Sequence, residues 1–127
     1  MRRSVRAGLA AMAVSVVLVT GCGGGKSSTP SGTGNPANVV VKGNDALKFD
    51  QAQYTAAAGA VVIELVNVGI QPHTLVIEKV SSFKKLVVNS KGDTSRGTAN
   101  LEPGTYTIYC DVAGHRAAGM EATLVIS

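Results

Sequence analysis

The sequence predicts an all-β domain, an antiparallel β-sandwich of about seven short strands, in the C-terminal part of the chain. From residue 38 onward, apolar and polar residues alternate with a period of two. Turn residues interrupt this alternation regularly, and no long stretch has helical periodicity. The length of 127 residues, 45% of them hydrophobic, allows one such domain. It excludes a two-domain enzyme and a polytopic membrane protein.

The strands can be placed in order along the chain. Short strands are expected at residues 39–41 and 46–49, and a clearer one at residues 60–66. In that strand Glu64 must face water, so its neighbours two residues apart, Val61, Ile63 and Leu65, face inward. The remaining strands are predicted at residues 74–80, 83–88, 105–110 and 122–126. The turn Glu102-Pro103-Gly104 starts the strand at 105–110.

Residues 1–21 are predicted to be a lipoprotein signal peptide. Arginines open the chain, and the apolar stretch 7–19 is too short to span a bilayer. The following Val19-Thr20-Gly21-Cys22 resembles the bacterial lipobox, which implies that Cys22 is diacylated with fatty acids such as palmitate. The alternatives are an uncleaved anchor and an ordinary signal with an incidental cysteine. The pair Arg2-Arg3 leaves both general secretion and twin-arginine export open.

Residues 22–37 are predicted to be a flexible tether, because Gly, Ser, Thr and Pro dominate a segment with little apolar surface to bury. Residues 38–127 then form the domain. Cleavage after residue 21 removes three of the 12 basic residues and none of the 8 acidic ones, which leaves a net charge of about +1. No basic field remains for nucleic acid. We interpret the remaining cationic cluster as a solvated face, with a docking patch for an acidic partner as the alternative: Lys79, Lys84, Lys85, Lys91 and Arg96.

Four side chains form a candidate metal site. Cys110, His115 and Met120 follow one another in the pattern C-x4-H-x4-M, and His73 is the only other histidine. Strand parity places Cys110 on the face of Ile108, Met120 on the face of Leu124, and His73 on the face of Leu75, so all three point toward the core. A buried inert cysteine, and a disulfide between Cys22 and Cys110, are the alternatives for the thiol.

One thiolate, two imidazoles and a thioether suit copper. The first three donors form a trigonal set, and a thioether is suited to a long, weak axial position, as in blue-copper electron-transfer sites. Zinc seldom takes methionine, and iron–sulfur clusters need more thiolates than this chain has.

The segment from Leu101 to Met120 closely resembles the C-terminal copper loop of the cupredoxins. The spacing is similar to that of rusticyanin and auracyanin rather than plastocyanin. The segment from Asn67 to His73 resembles the loop that delivers the family's first histidine, and residues 49–59 resemble its N-terminal pattern. The resemblance covers residues 38–127 and implies a Greek-key β-sandwich.

The resemblance also implies roles for individual residues. His73, Cys110 and His115 would be strong copper ligands and Met120 the axial one, supported by Pro72, Thr74 and Gly114. Many cupredoxins have asparagine where this chain has Thr74, so the connection between the two copper loops should differ. Residues around His115 would form an apolar docking patch with one charge at its edge: Val112, Ala113, Arg116, Ala117 and Ala118.

The function expected from the sequence is a lipid-anchored blue copper protein at the extracytoplasmic face of the cell membrane. It would carry single electrons between redox proteins, and we expect a monomer with one copper ion. Both histidines are used, so no second copper site for catalysis can be assembled, and no enzymatic activity is expected. The alternatives are a copper carrier that delivers metal to an oxidase and a metal-free interaction module.

Overall fold

The computed structural model describes residues 36–127. The predicted signal peptide, Cys22 and all of the predicted tether except residues 36 and 37 lie outside this range. The described residues include no helix long and apolar enough to cross a bilayer. They form nine strands: β1 (Val39–Asn44), β2 (Lys48–Phe49), β3 (Gln53–Ala56), β4 (Gly59–Asn67), β5 (His73–Ile77), β6 (Leu86–Val88), β7 (Thr94–Leu101), β8 (Gly104–Tyr109) and β9 (Glu121–Ile126).

The strands build a β-sandwich of two sheets. One sheet has the order β2-β1-β4-β7, and the other has the order β3-β9-β8-β5-β6. The all-β sandwich predicted from the sequence is therefore confirmed, with nine strands in place of about seven. The pairing is not purely antiparallel, because β1 runs parallel to β4 and β3 runs parallel to β9.

The core lies between the sheets and follows the alternation of the sequence. In β4, Val61, Ile63 and Leu65 are at most 1% exposed, as their parity predicts. Glu64 points to the other face, where its carboxylate accepts a hydrogen bond from Arg96 of β7 at 2.8 Å. The opposing sheet contributes the inward residues of β5, β8 and β9, namely Leu75, Ile77, Ile108, Ala122, Leu124 and Ile126.

Two strands, β3 and β7, escape prediction from the sequence. The inner face of β7 carries Ser95, Gly97 and Ala99, which give little apolar signal against the threonines and Arg96 between them. Small residues are needed there because a Cβ at Gly97 would lie 3.0 Å from side-chain atoms of both Leu86 and Phe83. The tight packing of the sheets thus removes the alternation that would reveal the strand.

Three predicted strands are shorter than expected. The strand expected at 46–49 begins only at Lys48, because Leu47 has a positive φ of 55° within a turn. The strand expected at 74–80 ends at Ile77, and Lys79, with φ at 62°, turns the chain. The strand expected at 83–88 begins at Leu86. Phe83 lies in the loop before it, although its side chain is buried in the core.

Substitution of Ile63 by alanine should lower the free energy of unfolding by about 2–5 kcal/mol, because it removes a fully buried side chain and leaves a cavity. Val62→Ala is the matched control on the other face of β4, where the side chain is half-buried, and it should cost much less. Urea unfolding of both variants provides the measurement. Equal losses would contradict the assignment of the two faces.

Candidate metal centre

Three adjacent strands bring the candidate ligands to one end of the sandwich. His73 is the first residue of β5, Cys110 directly follows β8, and Met120 directly precedes β9. Because β8 is antiparallel to both β5 and β9, the start of β5, the end of β8 and the start of β9 lie at the same end of this sheet. His115 comes from the loop between β8 and β9. All four residues are buried, and His115 is the most exposed at 6%.

The donor atoms of the three strongest candidates converge. One ligand atom each from His73, Cys110 and His115 lie within 4.8 Å of one another. Sγ of Cys110 is 3.5 Å from Nδ1 of His115, so this ring nitrogen faces the sulfur. The two imidazole rings are tilted by 58° with their centroids 5.3 Å apart. His73 and Cys110, which strand parity placed on the core face, therefore lie together, and the loop between β8 and β9 adds His115.

His73 is the residue that most clearly requires a ligand. Its side chain is fully buried, and neither ring nitrogen has a hydrogen-bond partner among the described residues. Burial, followed by the proximity of His115, lowers the pKa of His73 below its usual 6.5. The neutral imidazole therefore keeps a lone pair available. An unsatisfied buried polar group is costly, and a metal ion at this position would remove the penalty.

Met120 lies against the same wall of the site as His73. A Cβ at Gly43 of β1 would be 3.0 Å from the Met120 methyl carbon and 3.0 Å from Cδ2 of His73. The absence of a side chain at position 43 therefore lets both groups pack against the backbone of the opposing sheet. The backbone of Met120 also joins the other candidates, since its carbonyl accepts from Cys110 N–H at 3.0 Å and its N–H donates to the His115 carbonyl at 3.0 Å.

The loop that carries His115 is held by its own backbone hydrogen bonds. His115 N–H donates to the Val112 carbonyl at 2.9 Å, and Ala118 N–H donates to the Gly114 carbonyl at 3.1 Å. Gly114 has φ at 82°, a conformation that favours glycine, which accounts for the glycine directly before the histidine. Lys48 of β2 also contacts this loop, with Nζ donating to the Ala118 carbonyl at 2.7 Å.

Arg116 fastens the loop to the sheet beside it. Its guanidinium donates to Glu78 and to Glu121, both at 3.0 Å, and lies 4.0 Å from the centre of the Tyr109 ring. Two carboxylates therefore pair with Arg116, the residue expected from the sequence to place a charge at the edge of the docking patch. The planar guanidinium suits this stacked, doubly bonded arrangement better than an ammonium would.

The loop that delivers His73 is ordered by two polar side chains. Asn67 is 1% exposed; its amide donates to the Gln71 carbonyl at 2.8 Å and accepts from Gly69 N–H at 2.9 Å. Asp45 accepts from the N–H groups of Ile70 and Gln71 at 2.8 and 3.1 Å. These two backbone hydrogen bonds, Gln71 first, lower the pKa of Asp45. The approach to Pro72 and His73 is thus fixed from both sides.

Thr74 connects the two loops in place of asparagine. Its N–H donates to Sγ of Cys110 at 3.3 Å, and its hydroxyl oxygen accepts from Asp111 N–H at 2.9 Å. The hydroxyl donates to Oδ1 of Asp111 at 2.6 Å, and Lys85 donates to Oδ2 at 2.8 Å. The hydrogen bond from Lys85, then that from Thr74, lowers the pKa of Asp111. The two loops are therefore connected at Thr74, as in proteins with asparagine at this position, but here the connection is made by the threonine hydroxyl.

Sequence reasoning missed several residues that shape the site, namely Gly43, Asp45, Asn67, Lys85 and Asp111. A glycine inside a strand signals close approach of another group, so Gly43 was in principle detectable. An asparagine two residues before a glycine likewise signals a local turn. The contacts of Asp45, Lys85 and Asp111 cross between distant segments, and no local pattern reveals them.

Comparison with known proteins agrees with this geometry. The sequence model of the family described as copper binding proteins, plastocyanin/azurin family, matches residues 35–127. The chain belongs to this family. Its cofactor is one type 1 copper ion, for which the buried cluster of a thiol and two imidazoles next to a thioether supplies the donors.

Solved structures share the fold. The crystal structure of dithionite-reduced auracyanin from Roseiflexus castenholzii superposes with a TM-score of 0.62 at 18% identity, and the match covers 74% of this chain and 99% of that one. Auracyanin A from Chloroflexus aurantiacus, described as a "blue" copper protein, gives a TM-score of 0.60 at 20% identity and covers 73% and 100% of the two chains. Auracyanin B gives 0.55 at 21% identity over 74% and 92%. The resemblance to cupredoxins inferred from the sequence is confirmed.

The metal-free protein should lose stability as the pH falls below about 6.5. Because burial lowers the pKa of His73 in the folded state, the unfolded chain takes up this proton first. The contribution of His73 to the free energy of unfolding is fully present above the pKa that this residue has in the unfolded chain. Below that pKa it declines, by up to about 1.4 kcal/mol per pH unit, until the pKa of His73 in the folded protein is reached. Urea unfolding at pH 7.5 and pH 5.5 measures the loss.

The control for this measurement is His73→Leu, which removes the titrating group and keeps an apolar side chain in the buried position. The loss of stability between pH 7.5 and pH 5.5 should be smaller in this variant. An identical loss in both proteins would show that His73 is not held neutral by burial.

Proposed function

We propose that this protein is a blue copper protein that carries single electrons, with His73, Cys110 and His115 as strong ligands and Met120 as the axial ligand. The main support is that one thiol sulfur and one nitrogen from each of two imidazoles lie within 4.8 Å of one another in a buried position. Copper held by these residues would supply a one-electron couple between Cu(I) and Cu(II).

The donor set favours copper over zinc. A thioether adds little for zinc, whereas a thiolate, two imidazoles and a distant thioether form the usual set for type 1 copper. Met120 is fully buried and packs against Gly43 beside His73, so its sulfur belongs to the same end of the core as the other donors.

The rigidity of the site supports electron transfer rather than catalysis. Hydrogen bonds of Asn67, Asp45 and Arg116 fix the ligand loops without involving any metal. Loops held in this way would keep the four donors in nearly one arrangement whether copper is oxidised or reduced, which would lower the reorganisation that accompanies electron transfer. Both histidines of the chain belong to this site, and we propose no reaction on a small substrate.

The proposed docking patch surrounds His115. Ala113, Ala117 and Ala118 are exposed and Val112 is half-buried, so small apolar side chains border the imidazole. The loop before His73 adds two exposed apolar residues at the same end of the sandwich, Val68 at 43% and Ile70 at 76%. A redox partner that covers this apolar end would approach the copper closely. Arg116 would mainly hold the loop in place, because its charge is paired with Glu78 and Glu121.

The proposed location is the extracytoplasmic face of the cell membrane, with lipid on Cys22. The support is the sequence alone: the lipobox-like Val19-Thr20-Gly21-Cys22 lies between an apolar stretch and a tether-like segment. Confinement at the membrane would raise the effective concentration of the carrier for membrane-bound partners.

Loading the purified protein with Cu(II) should give an intense visible absorption band that disappears on reduction with ascorbate. Cys110→Ser should abolish this band, because a hydroxyl cannot replace the thiolate in the charge transfer, and should leave the far-ultraviolet circular dichroism unchanged. Met120→Leu is the contrasting variant. It should retain copper and colour with a raised potential, since leucine offers no lone pair to Cu(II).

Each result separates the candidate functions. A band that persists in Cys110→Ser would show that the ligand assignment is wrong. Copper uptake by the unsubstituted protein without a thiolate band would favour a metal carrier, and no uptake would favour an interaction module.

Replacement of Cys22 by serine should move the protein from the membrane fraction to the soluble fraction and abolish labelling with radioactive palmitate. Cys110→Ser is the matched control, because it removes the other cysteine of the chain and should leave the protein in the membrane fraction and labelled. If Cys22→Ser stays membrane-bound and labelled, the proposed anchor is wrong.

A further inference from the structure

A chain of polar contacts runs from the protein surface to the sulfur of Cys110. The exposed Lys85 donates to Oδ2 of Asp111 at 2.8 Å, and Oδ1 of Asp111 accepts from the Thr74 hydroxyl at 2.6 Å. The same hydroxyl oxygen lies 3.5 Å from Sγ of Cys110. Asp111 thus competes with the Cys110 sulfur for one hydroxyl group.

The Thr74 hydroxyl has a single proton to donate. One lone pair of its oxygen already accepts from Asp111 N–H at 2.9 Å, so the proton must go to the carboxylate or to the sulfur. The contact of 2.6 Å has the length of a strong charge-assisted O–H···O hydrogen bond. The contact of 3.5 Å to the sulfur is long by comparison. The proton therefore lies toward Asp111.

The sulfur consequently accepts one hydrogen bond in this region, from Thr74 N–H at 3.3 Å, where two are within reach. Lys85 keeps the competing carboxylate in place, since its ammonium group holds Oδ2 and thereby aims Oδ1 at the hydroxyl. The side chain of Asp111 is 35% exposed and that of Lys85 is 49% exposed, so both can be replaced without opening the core.

We propose that Asp111, oriented by Lys85, is a positioning residue that keeps the Thr74 hydroxyl from donating to the Cys110 sulfur and thereby sets the electron density on this sulfur. The inference rests on the proposed copper site. A thiolate with fewer hydrogen bonds is a stronger donor and stabilises Cu(II), so the present arrangement holds the potential down and the charge-transfer band at low energy.

Removal of the carboxylate frees the hydroxyl to rotate toward the sulfur. The second hydrogen bond should raise the reduction potential and move the visible band to shorter wavelength. Loss of a negative charge near the copper raises the potential as well, so Asp111→Ala alone does not separate the two causes. Thr74→Val removes the hydroxyl at nearly constant volume. A double-mutant cycle with Asp111→Ala then isolates the part of the potential shift that depends on this hydroxyl.

The experiment compares six copper-loaded proteins, namely those with Thr, Val or Ser at position 74, each with and without Asp111→Ala. The upward shift in potential and the blue shift of the band caused by Asp111→Ala should be larger when Thr74 is present than in the Thr74→Val background. In a Thr74→Ser background, which retains the hydroxyl, the larger shifts should return. Equal shifts in all three backgrounds would overturn the proposal and assign the effect to charge.

Resonance Raman spectroscopy tests the same point if Thr74→Val does not retain copper. The copper–sulfur vibrations of Asp111→Ala should change more on transfer to D2O than those of the unsubstituted protein, because an exchangeable hydroxyl then contacts the sulfur. Equal deuterium effects would contradict the proposal. Absence of a blue band in the unsubstituted protein would instead contradict the proposed function, so the two failures are distinguishable.

Discussion

The structure depends on the burial of one thiol and two imidazoles at the end of an apolar core. Neither ring nitrogen of His73 has a protein partner among the described residues, although the side chain is fully buried. Such a group destabilises a fold unless something binds it. A metal ion shared with Cys110 and His115 would satisfy this requirement.

The rest of the fold holds this arrangement in place by contacts that need no metal. The candidate ligands come from the start of β5, the end of β8, the start of β9 and the loop between β8 and β9. Asn67 and Asp45 order the loop before His73, Arg116 fixes the loop of His115, and Gly43 of the opposing sheet leaves room for Met120 and His73. Because these contacts involve no metal, we expect the geometry of the site to change little when copper binds.

Much of this site was predictable because its signals are local. A period of two fixes the side of a strand on which a residue lies, so His73, Cys110 and Met120 were placed on the core face from parity alone. The strand β7 was missed because its inner face carries Ser95, Gly97 and Ala99, which reflects tight packing against Leu86 and Phe83. The parallel pairings of β1 with β4 and β3 with β9, and the chain of contacts from Lys85 to Cys110, are properties of tertiary proximity.

We expect a single copper ion to be held by the two imidazoles and the thiolate, with the thioether beside them, in a site whose geometry changes little on loading. Crystal structures of the metal-free and copper-loaded protein test this directly. We expect the ion to be bound to His73, Cys110 and His115 next to Met120, with the four side chains in the same rotamers in both structures. Copper at a different set of residues, or a rearrangement of these side chains on loading, would contradict the account.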